Sequence, residues 1–168
     1  MTTANMITVG ALALALLVLV LNVRGWWNSG RKPAAAVPFL SSFAVGALAT
    51  VCTGGLLGWI AGLITGTANT AGRIAPSATG TDDGVISPGN LGVLSQGGAL
   101  VVFVATGVWA VCWRSAAENP RRRMNGGLLC GVTLAFTAGV AGLLGDMLVP
   151  GVNSIGDPVI AWFSGEQA

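Results

Sequence analysis

Residues 42–66 read SFAVGALATVCTGGLLGWIAGLITG, and every fourth position is small: Ser42, Gly46, Thr50, Gly54, Gly58, Gly62 and Gly66. Apolar residues such as Leu56, Leu57, Trp59, Ile60, Leu63 and Ile64 fill most of the intervals. In water each interior glycine costs a helix about 1 kcal/mol relative to alanine. In lipid the backbone has no other hydrogen-bond partner, so the helix is retained. The glycines then form a ridge without side chains, against which a neighbouring backbone packs closely. A step of four advances an ideal helix by about 400°, so the stripe drifts by about 240° between its ends. One straight partner cannot follow it. Either a partner crosses it at about −40°, or the inner half packs within the monomer and the outer half between copies.

The span that carries this stripe is expected at about residues 38–64, long enough to tilt in hydrocarbon about 30 Å thick. Before it, RKPAAAVP forms part of a short inner loop (24–37), and MITVGALALALLVLVLNV supplies a first span at about 5–23. That run resembles a secretory signal only superficially, because its positive charges, Arg24, Arg31 and Lys32, follow the apolar core rather than precede it. Trp26 and Trp27 suit an interfacial belt. After the second span, residues 65–90 turn to Gly, Ser, Thr, Asn, Asp and Pro and read as an irregular outer loop. Its TDDG lacks the spaced oxygen ligands of a calcium loop and reads as a solvated turn.

Further out, a third span is expected at about 91–113, with Gly97, Gly98 and Gly107 as points of close approach and Trp109 and Trp113 at its inner end. An inner loop, 114–123, carries Arg114, Arg121, Arg122 and Arg123. A fourth span at about 124–149 is small-rich: Gly127, Gly131, Ala135 and Gly139 share one spacing of four, and Ala138, Gly142 and Asp146 another. Two glycine-lined helices in one chain are natural packing partners. The outer C-terminal segment, 150–168, is expected to end in a short interfacial helix with Asp157 as N-cap, Pro158 at the first helical position and Gly165 at its end.

Charge placement orients these spans. Of eight Lys and Arg residues, Arg24, Arg31, Lys32, Arg114, Arg121, Arg122 and Arg123 fall in the two inner loops, and only Arg73 lies elsewhere. Since basic residues remain on the cytoplasmic side, both termini are expected outside. The composition agrees with the membrane class: 53% hydrophobic and 8% charged, against about 45–50% and about 25% in soluble domains. The expected fold is therefore a single all-α membrane domain, a four-helix bundle in a bacterial plasma membrane. The three-arginine run reads as a topology anchor near anionic lipid, and no nucleic-acid partner is expected.

Little catalytic chemistry is legible. There is no histidine, which removes the commonest general base and metal ligand. Cys52, Cys112 and Cys130 lie inside apolar runs without paired spacing, as packing thiols do. No cofactor, metal site or enzymatic activity is expected. Asp146 is the one ionisable residue placed within a span, hence a candidate for a pore or proton-linked role. It is also only four residues before Pro150, roughly 6 Å along a helix, and so within reach of the outer headgroups. Two hairpins that each enclose a basic loop suggest a pseudo-repeat, but no residue-level similarity supports it in this reading. Two functions remain. One is a non-catalytic subunit that assembles with itself or a membrane-protein partner through Gly46, Thr50, Gly54, Gly58, Gly62, Gly66, Gly127, Gly131 and Gly139. The other is a ring-forming pore of holin-like or conjugation-associated type.

Overall fold

The structure, a computed structural model, describes residues 6–52, 54–79, 84–86 and 89–165. Thr53 and the Asp82–Asp83 turn lie outside the described residues. In chain order the elements are β1 (Ile7–Thr8), α1 (Val9–Asn28), α2 (Pro33–Val51), α3 (Gly55–Gly72), α4 (Ile74–Thr79), β2 (Val85–Ile86), α5 (Gln96–Ser115), α6 (Glu118–Ala135), α7 (Ala138–Leu143), a π-helical turn (Leu144–Leu148) and α8 (Val149–Ser164). Four helical segments are long and apolar enough to cross a membrane: Val9–Asn28, Pro33–Val51, Gln96–Ser115 and Ala138–Ser164. The chain is an all-α multi-pass membrane protein apart from β1 and β2, which pair antiparallel with Ile7 opposite Ile86.

Three expected boundaries move. The second span ends at Val51 instead of continuing to residue 64, because the chain breaks at Cys52–Gly54 and restarts at Gly55, whose φ of +69° is a left-handed conformation that glycine adopts without strain. At about 1.5 Å per residue, α2 is already about 28 Å long, so the break falls near its membrane exit. The expected outer loop 65–90 is largely helical up to residue 79. The expected fourth span 124–149 straddles another break, at Phe136–Thr137, after which one segment runs from Ala138 to Ser164. Pro150 sits inside that segment. Proline cannot donate to the ladder and its ring presses on the carbonyl four residues back. The wide π turn just before it, closed by Val149 N–H donating to Leu144 O, relieves that crowding. Asp157 is consequently mid-helix and caps nothing, whereas Gly165 does end the helix, at φ +73°.

The centre of the bundle is the α2/α6 seam. A Cβ on Gly46 would lie 2.6 Å from Leu128 O, Gly127 abuts Phe39 O and Gly131 abuts Phe43 O. Phe39 meets Gly127 and Phe43 meets Gly131, so both helices advance in the same direction: the pair is parallel. The contacts are also reciprocal, Gly46 on Leu128 and Gly131 on Phe43, the signature of a two-fold relation. It extends outward, since α1 packs on α6, where Cys130 Sγ donates to Ala15 O at 3.2 Å, and α5 packs on α2, where Trp109 Nε1 donates to Ser42 Oγ at 2.6 Å. The first helix of each half therefore rests on the middle helix of the other.

Candidate functional site

The two-fold relation is written most clearly where α3 and α8 meet the starts of α1 and α5. Thr8 Oγ1 caps α1 by accepting from Ala11 N–H (3.2 Å), and Ser95 Oγ caps α5 by accepting from Gly98 N–H (2.9 Å). Asn69 Oδ1 accepts from Thr8 N–H (3.1 Å) while its Nδ2 donates to Met6 O (2.8 Å). Asn153 does the same in the other half, accepting from Ser95 N–H (3.0 Å) and donating to Val93 O (3.2 Å). One turn further on, Gly10 meets Gly72 backbone to backbone, as Gly97 meets Gly156. A bidentate amide on the backbone just before a helix satisfies groups that the helix ladder cannot reach. Asn69-Thr70-Ala71-Gly72 and Asn153-Ser154-Ile155-Gly156 share one pattern, Asn then a hydroxyl residue then an apolar residue then Gly, and Thr53-Gly54-Gly55 precedes one as Thr137-Ala138-Gly139 precedes the other. The repeat is thus three helices long, α1–α2–α3 against α5–α6–α7/α8, and its clearest residue-level similarity lies outside the two hairpins, where the sequence reading found none.

The glycines singled out from the sequence separate into two groups. Gly46, Gly127 and Gly131 come together in the seam, with Thr50 buried beside them and its Oγ1 donating to Ala47 O at 2.6 Å. Gly54, Gly62, Gly66 and Gly139 have nothing within 4 Å of a would-be Cβ, and Gly58 is half-buried. The α3 surface around the open positions carries Leu56, Trp59 and Leu63, between 50% and 65% exposed. The stripe therefore does not serve one neighbour. Its α2 part is used inside the chain and its α3 part faces outward.

Asp146 occupies the π turn and is exposed. It forms no ion pair among the described residues. The apolar segment that holds it runs from Ala138 to Ser164. Its neighbour Gly145 lies against Asn90 O and Gly92 N, in the stretch that leads into α5.

At the opposite end of the bundle the α1–α2 and α5–α6 turns lie side by side, joined by Arg123 Nη1 donating to Ala35 O at 2.6 Å. The arginine run has divided its work. Arg121 reaches back to Trp113 O (3.2 Å) and Arg114 O (3.1 Å), holding the last carbonyls of α5, and lies over the Trp113 ring. Arg122 pairs with Glu118 at 2.5 Å, both exposed. In the other turn, Arg31, at φ +57°, stacks on Trp27 with its guanidinium 3.6 Å from the ring centroid, and Trp26 Nε1 donates to Lys32 O. Arg24 and Lys32 are exposed.

Three cavities flank these features. One, of about 540 Å³, opens at the α2/α3 break between Val51, Cys52, Leu57 and the start of α5 at Val93 and Phe103. The equivalent break in the second half is filled: Phe136 is buried there, its carbonyl accepts from Gly89 N–H (3.2 Å), and Leu91 packs beside it. The other two adjoin at the basic end. Among the described residues no group of three His, Cys, Asp or Glu side chains gathers as a metal site. Comparison with protein-family models, with curated proteins and with solved structures finds no match.

Proposed function

We propose that this chain is a non-catalytic subunit of a bacterial plasma-membrane assembly, with both termini outside, and that it docks through the outward glycine face of α3. One observation carries the reading: Gly62 and Gly66 have open space where a neighbour belongs, while Gly46 on the same sequence stripe is in backbone contact. In lipid an apolar surface gains little by covering itself, but a bare backbone ridge gains van der Waals contact from a second helix. The face suits a second copy of the chain or a membrane-protein partner. The distribution of basic residues supports the orientation: the two turns that carry seven of the eight Lys and Arg residues share one end.

The test replaces Gly62 and Gly66 with leucine and follows the oligomeric state in detergent and by cross-linking in native membranes. Loss of the assembled species with the monomer intact is expected. An unchanged assembly removes the role from this face.

A second reading, a ring-forming pore, draws on Asp146, an exposed carboxylate within an apolar segment. Such a group is costly against lipid and is tolerated where it borders water. Dye release from liposomes by the wild type, abolished by Asp146→Asn, would favour the pore. Tight liposomes favour the subunit.

A further inference from the structure

We propose that the basic end holds one anionic phospholipid, its phosphate between α2 and α6 and an acyl chain between α1 and α2. Two adjoining cavities carry the argument. The first, about 530 Å³, lies between the N-terminal turns of the parallel pair, lined by Ala34 and Pro38 on α2 and by Asn119, Arg122 and Arg123 on α6. The second, about 270 Å³, is an apolar groove formed by Leu19 and Val23 of α1 with Phe39 and Leu40 of α2. Ala35 and Arg123 line both, so a charged chamber adjoins an oily one across a single guanidinium.

The charge around the first cavity is unbalanced. Because α2 and α6 are parallel, both present their N-termini here, each equivalent to roughly half a positive charge, and neither end has a side-chain cap. By contrast α1 and α5 are capped by Thr8 and Ser95. Seven Lys and Arg side chains crowd this end, with Glu118 as the one acid in either turn. Placing arginines at helix N-termini opposes the dipole, and an anion lodged between them turns that opposition into attraction. A guanidinium has five N–H donors in a fork that matches phosphate. The bond from Arg123 to Ala35 O uses one of them, which anchors the side chain between the chambers with donors to spare. Leu40, on the groove wall, is 59% exposed and borders the route by which an acyl chain enters from the bilayer. A free anion would leave this groove unused, and a neutral lipid would leave the charge unmatched.

The proposal rests on the membrane placement alone and is independent of α3-mediated assembly. The full-length chain, delipidated in detergent, is mixed with phosphatidylglycerol or phosphatidylcholine, and bound lipid is counted by native mass spectrometry. One phosphatidylglycerol per chain is expected, retained in preference to phosphatidylcholine. Arg122→Gln, at an exposed side chain that holds no other element, should lower retention about five-fold, the effect of one basic group near anionic lipid. Arg123→Gln should lower it further. Should Arg123→Gln fail to fold, Arg122→Gln and Leu40→Trp decide: the tryptophan fills the groove and should reduce phosphatidylglycerol retention with the charge untouched. Equal retention of the two lipids, or retention unaffected by Arg122→Gln and Leu40→Trp, overturns the site. Displacement by glycerol phosphate as effective as by intact phosphatidylglycerol also overturns it, leaving an anion site without a chain.

Discussion

Gly46 and Gly62 belong to one regular spacing, yet one is pressed against Leu128 O and the other faces open space. The helices that carry them explain the difference. α2 lies in the centre of the bundle against α6, whereas α3 starts anew after the Gly54–Gly55 break and is tied down at its far end by Asn69. The same residue type in the same rhythm thus performs two tasks, close packing inside the chain and a surface presented outside it. The comparison teaches that a small-residue stripe specifies closeness without specifying the neighbour. Backbone breaks decide who that neighbour is.

The strongest way to break this contrast is to enlarge the seam. Gly131→Leu or Gly46→Leu places a side chain into the facing backbone, and no monodisperse folded protein is expected in size-exclusion chromatography. The smaller change Gly46→Ala should destabilise by about 1–3 kcal/mol, the range for forced overpacking, measured by titrating with a denaturing detergent. Equal stability of Gly46→Ala and wild type would mean that the seam is looser than its geometry. Next come the two amides. Asn69→Ala and Asn153→Ala each remove a pair of backbone hydrogen bonds and should each cost about 1–2 kcal/mol. Equal losses would support the equivalence of the halves, and a loss at only one would break it. Smallest of all is Gly62→Ala, with stability expected within about 0.5 kcal/mol of wild type, because its Cβ meets nothing within 4 Å.

How much of this was legible in the sequence differs by feature. The membrane class was plain from composition, and so was the gathering of basic residues, since both depend on sums over many positions. The Gly46, Gly127 and Gly131 seam followed from the spacing of small residues on two helices. The break after Val51 was hidden by the same spacing: Gly54 fits the stripe, so the tandem Gly54–Gly55 passed for part of a ridge although adjacent glycines weaken any helix. Pro150 reads as the stop of the fourth span, whereas a π turn lets the helix continue through it. The three-helix repeat escaped for a different reason. Its chemistry is concentrated in two short phrases, NTAG and NSIG, and in the Thr8 and Ser95 caps that they clamp. Between these points the two halves share hydrophobicity but few identities, because lipid-facing positions ask only for apolar bulk.

The exchange of first helices between halves has a consequence for biosynthesis. At the ribosome, α1, α2 and α3 leave first, but the main partner of α2 is α6, on which part of α1 also packs. Until the segment around Gly131 has entered the bilayer, the Gly46 ridge has no seat and Ala15 O no thiol to accept from. The nascent first half has α3 clamped on α1 through Asn69 while α2 waits unseated, and its assembly is completed by the arrival of the second.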